Sequence, residues 1–141
     1  MPVPETLLKI HQYLGVGYKP LVDYGEWRVA ILRFIGELLP ENISKMQRHD
    51  DTDEVFVLLE GHCILFLGEG GEQITHIHAQ DMEPLKLYNV KRSCWHAHTI
   101  SEDASVLIIE NRDTTDQNSP EIDLNPEQRD RLVALTNKLW R

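Results

Sequence analysis

Gln47-Arg48-His49-Asp50-Asp51-Thr52-Asp53-Glu54-Val55-Phe56-Val57-Leu58-Leu59-Glu60-Gly61 is the stretch whose reading decides the fold. It falls into a polar lead and an apolar run closed by glycine. Residues 54–59 are rich in β-branched and aromatic side chains, which favour a pleated, half-buried strand. Side chains on extended chain repeat with a period of two, so Gln47 and His49 share a face. Glu54 follows His49 by five residues and opens the strand. A carboxylate and an imidazole are thereby delivered to the mouth of an apolar element.

Outward from this stretch the same texture continues. Residues 26–35 alternate, with Trp27, Val29, Ile31 and Arg33 on one side and Arg28, Ala30, Leu32 and Phe34 on the other. Residues 62–67 form a second apolar run, ended by the hairpin signal Gly68-Glu69-Gly70-Gly71. Residues 73–79, 85–90, 95–100 and 105–110 complete the set. Short strands at this spacing, without long helices between them, predict an all-β antiparallel sandwich or small barrel.

The flanks read differently. Leu7, Leu8, Ile10, His11 and Leu14 fall near one face of a helix over residues 5–14, which Gly15-Val16-Gly17 then breaks. Residues 112–120 are polar and read as a surface connection. Asn125 caps a C-terminal helix, Pro126 takes its first position and Glu127 suits its positive end. Leu132, Leu135 and Leu139 give it an apolar stripe, and Lys138 and Arg141 suit its negative end. The resulting organisation is an N-terminal helical extension over 1–25, a barrel over 26–111, and a connection with a C-terminal helix over 112–141.

Composition narrows the function. The 141 residues carry 14 Lys plus Arg against 23 Asp plus Glu, a net charge of −9. Such a surface disfavours nucleic acid and anionic membrane surfaces, which attract clustered basic side chains. The longest apolar runs are far shorter than the ~20 residues of a membrane-spanning helix. Met1-Pro2-Val3-Pro4-Glu5 lacks the basic start of a signal peptide. Two cysteines, Cys63 and Cys94, cannot make a disulfide framework, so a cytoplasmic setting with inert thiols is expected.

Seven histidines are present. His49 and Glu54 lie at one end of the strand-rich region, and His96 follows a turn at Arg92-Ser93 near the other. Two imidazoles and a carboxylate from separate strands make a divalent-metal site with positions left open for water or substrate. In this pattern the chain resembles the cupin superfamily. The first motif of that family is commonly His-x-His, three or four residues, Glu, six residues, Gly. Here His49, Glu54 and Gly61 match its second histidine, its glutamate and its glycine, and Gln47 stands at the first histidine. The second motif is commonly Pro-x-Gly-x-x-His. Lys91-Arg92-Ser93-Cys94-Trp95-His96 keeps the histidine and replaces the proline and the glycine.

The resemblance implies a jelly-roll β-barrel of six to eight strands and a divalent ion (Fe, Mn, Ni, Co or Zn) held inside by His49, Glu54 and His96. Gln47 is an adjacent candidate whose neutral carbonyl is a poorer donor than imidazole. It implies a weaker site, a harder ion or an empty pocket. The resemblance also implies a homodimer.

Other histidines are read more plainly. His98 shares a strand face with His96 and is read as a pocket or rim residue. His76 and His78 share a face with no third ligand evident in the sequence, and His11 and His62 are read as solvated or satisfied by the backbone. Two function classes stand open. One is a metal-dependent enzyme of isomerase, dioxygenase or lyase type on a small polar molecule. The other is a metal-free binding or sensing module for a small ligand.

Overall fold

The computed structural model describes residues 2–140; Met1 and Arg141 lie outside them. The strands are β1 (Gly17–Tyr24), β2 (Trp27–Arg33), β3 (Lys45–Gln47), β4 (Glu54–Glu60), β5 (Cys63–Glu69), β6 (His76–Asp81), β7 (Leu87–Val90), β8 (Trp95–Ile100), β9 (Ser105–Asn111) and β10 (Glu121–Asp123). One α-helix, α1 (Pro126–Leu139), closes the chain. Two antiparallel five-stranded sheets result, in the orders β1-β2-β9-β4-β7 and β10-β3-β8-β5-β6.

The alternation of side chains builds two cores. The inward faces of β2, β4 and β9 send Ala30, Leu32, Phe56, Leu58, Val106 and Ile108 between the sheets, where they meet Cys63, Leu65 and Ile100 of the opposite sheet. Strand β5 is buried on both faces, because Ile64 and Phe66 point outward into a second core with Met46, Ile77, Trp95, Leu124 and Leu132. That second core is covered by α1. An apolar run that does not alternate is what a strand covered on both faces requires.

Gly61 turns the chain between β4 and β5 at φ +76°, and a Cβ there would stand 2.5 Å from the Ala104 Cα. Only glycine fits such a conformation pressed against backbone.

Three expectations are corrected. Residues 5–14 do not form a helix: a single turn closes with the Leu7 and Leu8 amides on the Pro4 carbonyl, and the rest runs without regular structure. A short helix is marginal unless its apolar face packs. Here Leu7, Leu8, Ile10 and Leu14 are all exposed, so nothing within the chain supports one. The break read after residue 14 is instead the start of β1, which pairs with β2 from Gly17↔Arg33 to Tyr24↔Trp27. The connection after residue 111 is more than surface, since β10 pairs with β3 and Ser119 is buried.

The C-terminal helix forms as its punctuation requires. The Asn125 side chain accepts from the Gln128 backbone amide, and the Gln128 side chain accepts in turn from the Asn125 backbone amide. Leu132 is fully buried and Leu135 packs beside it, whereas Leu139 is exposed. Leu132→Ala is expected to cost about 2–5 kcal/mol, the range for a buried leucine whose cavity cannot collapse. Denaturant unfolding of the metal-free protein checks this, and a change below about 1 kcal/mol would mean that α1 is only loosely docked.

Candidate metal centre

The two sheets bring distant residues to one point. Glu54 opens β4 in the first sheet. His49 follows β3, and His96 sits on β8, where it pairs with Gln47 and Leu67 across the second sheet. His49, Glu54 and His96 are all buried, and their ligand atoms lie within 4.8 Å of one another. Glu54 Oε1 is 3.3 Å from His49 Nε2 and 3.0 Å from His96 Nε2. Donors bonded at about 2.1 Å to one ion, in octahedral or tetrahedral arrangement, stand about 3.0–3.4 Å apart. The spacing is therefore that of ligands around a common cation.

The outer nitrogen of His96 fixes its tautomer. His96 Nδ1 lies 3.0 Å from the Cys94 carbonyl, which can only accept, so Nδ1 carries the proton. His49 Nδ1 lies 2.7 Å from Ser119 Oγ, whose own hydrogen is directed to Asn118 Oδ1. His96 thus donates outward from Nδ1 and, when neutral, turns a bare Nε2 lone pair toward Glu54; His49 does the same when Ser119 gives its hydrogen to Asn118. Glu54 Oε1 is buried and no donor meets it in hydrogen-bonding geometry. Three electron-rich atoms facing one another in a dry interior call for a cation between them. The donor set, two nitrogens and one oxygen, suits a first-row divalent metal.

Titration follows the same logic. Burial alone would raise the Glu54 carboxyl, but the His49 and His96 imidazoles, with His96 in its protonated form, and the Glu110 carboxyl outweigh it and hold it well below the usual carboxylate range. Burial opposes charge on His96, yet the Glu54 carboxylate and the Cys94 carbonyl lift its pKa above the ordinary value. Burial lowers His98 to about 4, so it stays neutral.

Gln47 is half-buried and lines the same cavity, with its amide donating to Asp116 at 3.2 Å. It holds a loop to the cavity mouth through that bond. The cavity has a volume of about 400 Å³, within the range of small-molecule sites. Leu32, Leu38 and Ile108 give it apolar walls; Tyr18, His98 and Glu110 add polar ones.

Sequence reasoning missed Glu110, Tyr18 and Ser119. Glu110 is buried on β9 and receives a hydrogen bond from the Tyr18 hydroxyl. Burial raises the Glu110 carboxyl, and the neighbouring Glu54 carboxylate adds to it, bringing the pKa to about 8. The signal was present in the sequence. Val106, Ile108 and Glu110 alternate on one face of a strand, so a carboxyl shares the inward face with two aliphatic residues.

Solved structures resemble this chain, whereas no protein-family model and no curated protein matches it. Pac13, a nucleoside dehydratase, superposes with a TM-score of 0.55 at 10% identity, over 83% of this chain and 88% of its own. KdgF from Halomonas gives 0.50 at 12% identity, over 75% and 88%. The capsular polysaccharide assembling protein CapF of Staphylococcus aureus gives 0.57 at 14% identity, over 86% of this chain and 34% of its own. At such identities the likeness concerns the fold. The chain has a cupin-type β-barrel, with ten strands in place of the six to eight that the motif resemblance implies.

Glu110 makes stability depend on pH with a definite sign. Its unfolded carboxyl titrates near the ordinary value of 4.5 and its folded one at about 8. Between these the native state holds the extra proton, so stability falls as pH rises through the window. The metal-free protein is expected to lose stability from pH 4.5 to 8, and Glu110→Gln to flatten that slope. Denaturant melts across the window check this; an unchanged slope in the variant would contradict it.

Proposed function

We propose that this chain binds a divalent metal ion inside the barrel through His49, Glu54 and His96, with Gln47 beside them, and acts on a small polar molecule. The observation that carries the reading is the convergence of two Nε2 atoms and the orphaned Glu54 Oε1 on one buried point. The ion would be Fe, Mn, Ni, Co or Zn. Bound there, it supplies Lewis-acid polarisation of a substrate oxygen.

The chain's own residues supply the rest. Glu110 holds a proton at neutral pH on the cavity wall, and Tyr18 orients its carboxyl. A protonated carboxyl beside the ligand set favours chemistry that moves a proton, either isomerisation or elimination. Leu32, Leu38 and Ile108 keep the wall apolar and limit water. Pac13 is a dehydratase, and a Streptomyces Pac13 variant, with a TM-score of 0.51 to this chain, is solved with uridine. Both support a small polar ligand in the barrel.

A metal-free binding or sensing module is the second reading. It is favoured by Gln47, which spends its amide on Asp116 where the motif resemblance places a histidine.

Metal analysis of protein purified without an affinity tag separates the two. Near-stoichiometric metal, lost in both His49→Ala and His96→Ala, is expected. Folded protein that shows no metal binding dependent on these two residues, on titration with Fe, Mn, Ni, Co or Zn, would establish the second reading.

We also propose a homodimer in the cytoplasm. Leu7, Leu8, Ile10, Leu14 and Val16 expose a run of apolar surface that a second copy would cover. Cys63 and Cys94 are both free thiols, and among the described residues no helix is long and apolar enough to cross a membrane. Sedimentation equilibrium is expected to give twice the chain mass, falling to one chain mass when Leu7 and Ile10 are changed to Ser. A monomeric parent protein would overturn the dimer.

A further inference from the structure

We propose that Glu69, His76 and His78 form a second divalent-metal site, at the solvent-exposed edge of the second sheet on the β5–β6 hairpin. The sequence shows only the pair of histidines; the fold supplies the third donor. Glu69 pairs directly with His76 in the antiparallel ladder, and Leu67 pairs with His78. Glu69 is therefore opposite one histidine and diagonal to the other on the same face, a separation that long side chains span. His78 Nε2 lies 2.7 Å from Glu69 Oε2, and the two imidazole rings stand 4.5 Å apart, edge to face. The ligand atoms of all three residues fall within 4.8 Å of one another.

The hairpin holds this arrangement in place. Ile77, between the two histidines, is buried in the core beneath α1 and anchors the register, so both imidazoles turn to the opposite face of the sheet, where the edge position of β6 leaves them exposed. The Thr75 amide donates to the Glu69 carbonyl at 2.8 Å. Gly70 takes φ +119°, and a Cβ there would stand 1.9 Å from the Gln73 carbonyl oxygen, so the turn has one way to close. Among the described residues Glu69 has no Lys or Arg partner, and its only ion pair is with His78. The carboxylate is thus left for a cation, and the net charge of −9 draws cations to the surface.

Two imidazoles and one carboxylate select Zn, Ni, Cu or Co over Mg or Ca. Three protein ligands leave coordination positions open, and β6 is the edge strand of its sheet, so those positions face solvent. The site shares no residue with the interior one.

The test is an amide NMR titration of untagged, ¹⁵N-labelled protein with Cu²⁺ alone. Resonances of residues 68–78 are expected to broaden away at substoichiometric metal. In a Glu69→Gln, His76→Ala, His78→Ala variant, those resonances stay sharp. The altered residues are exposed, and an otherwise unchanged spectrum verifies the fold. Hairpin resonances that remain sharp in the parent protein at equimolar Cu²⁺, or broaden equally in the variant, overturn the proposal. Resonances around His49, Glu54 and His96 report the interior site separately, so the failure of one site is distinguishable from the failure of the other.

Discussion

A hydrogen bond to a backbone carbonyl decides what the interior of this protein can do. Because the Cys94 carbonyl can only accept, His96 must keep its proton on Nδ1 and turn a lone pair toward the Glu54 carboxylate. Ser119 accepts from His49 Nδ1 in the same way when its own hydrogen goes to Asn118. In water such a meeting would be relieved by solvent. Inside the barrel the groups are buried, and their mutual repulsion is relieved only by a positive charge between them. A proton serves when no metal is present, which is why the His96 pKa is lifted. A metal bound there would compete with the proton for one space, so affinity for an ion would weaken as pH falls.

The architecture exists to hold these groups apart from water and close to each other. Glu54 and Glu110 come from adjacent strands of one sheet, and His96 comes from the opposing sheet. The site therefore forms only when the sheets close over their shared core of Phe56, Leu58, Leu65, Val106 and Ile108. The helix plays a different part. It lies on the outer face of the second sheet, burying Leu132 against the strands that carry His96 on their inner side. Neighbouring carboxyls then divide their roles by environment. Glu54 is kept ionised by imidazoles, and Glu110, with no such partner, is kept protonated by burial and by Glu54 itself. Two like groups with opposed protonation, side by side, are the usual means by which a protein holds a base and an acid at one pH.

Much of this was legible in the sequence, and the reasons are local. Strand β4 was readable from its β-branched run and closing glycine, and α1 from Asn125, Pro126 and its leucine stripe. The proximity of His49 and Glu54 was readable from spacing, because period-two alternation relates Gln47 to His49 and the strand opened by Glu54 follows. What could not be read depended on partners. The apolar residues of the N-terminal segment look helical in isolation, but a helix needs a surface to pack on, and the chain offers none there. Strand β1, with Pro20 and flanking glycines, carries weak strand propensity and is held by its ladder to β2. Ser119 lies in a polar stretch that reads as a solvated loop, and only the tertiary fold presses it against an imidazole. Glu69 belongs to the hairpin glycines in sequence and to two histidines in space. Each of these was hidden because its meaning lies in a contact distant along the chain.

The account stands on one claim: that the buried point between the two sheets is built for a metal ion. The most direct measurement is an anomalous-difference map from a crystal of untagged protein, collected at the absorption edge of the ion found in it. The account predicts a peak between His49 Nε2, His96 Nε2 and the Glu54 carboxylate, with both Nδ1 atoms still bonded outward to Ser119 and Cys94. A map with no peak at that point, and with the imidazole of His49 or His96 turned away from Glu54, would contradict it.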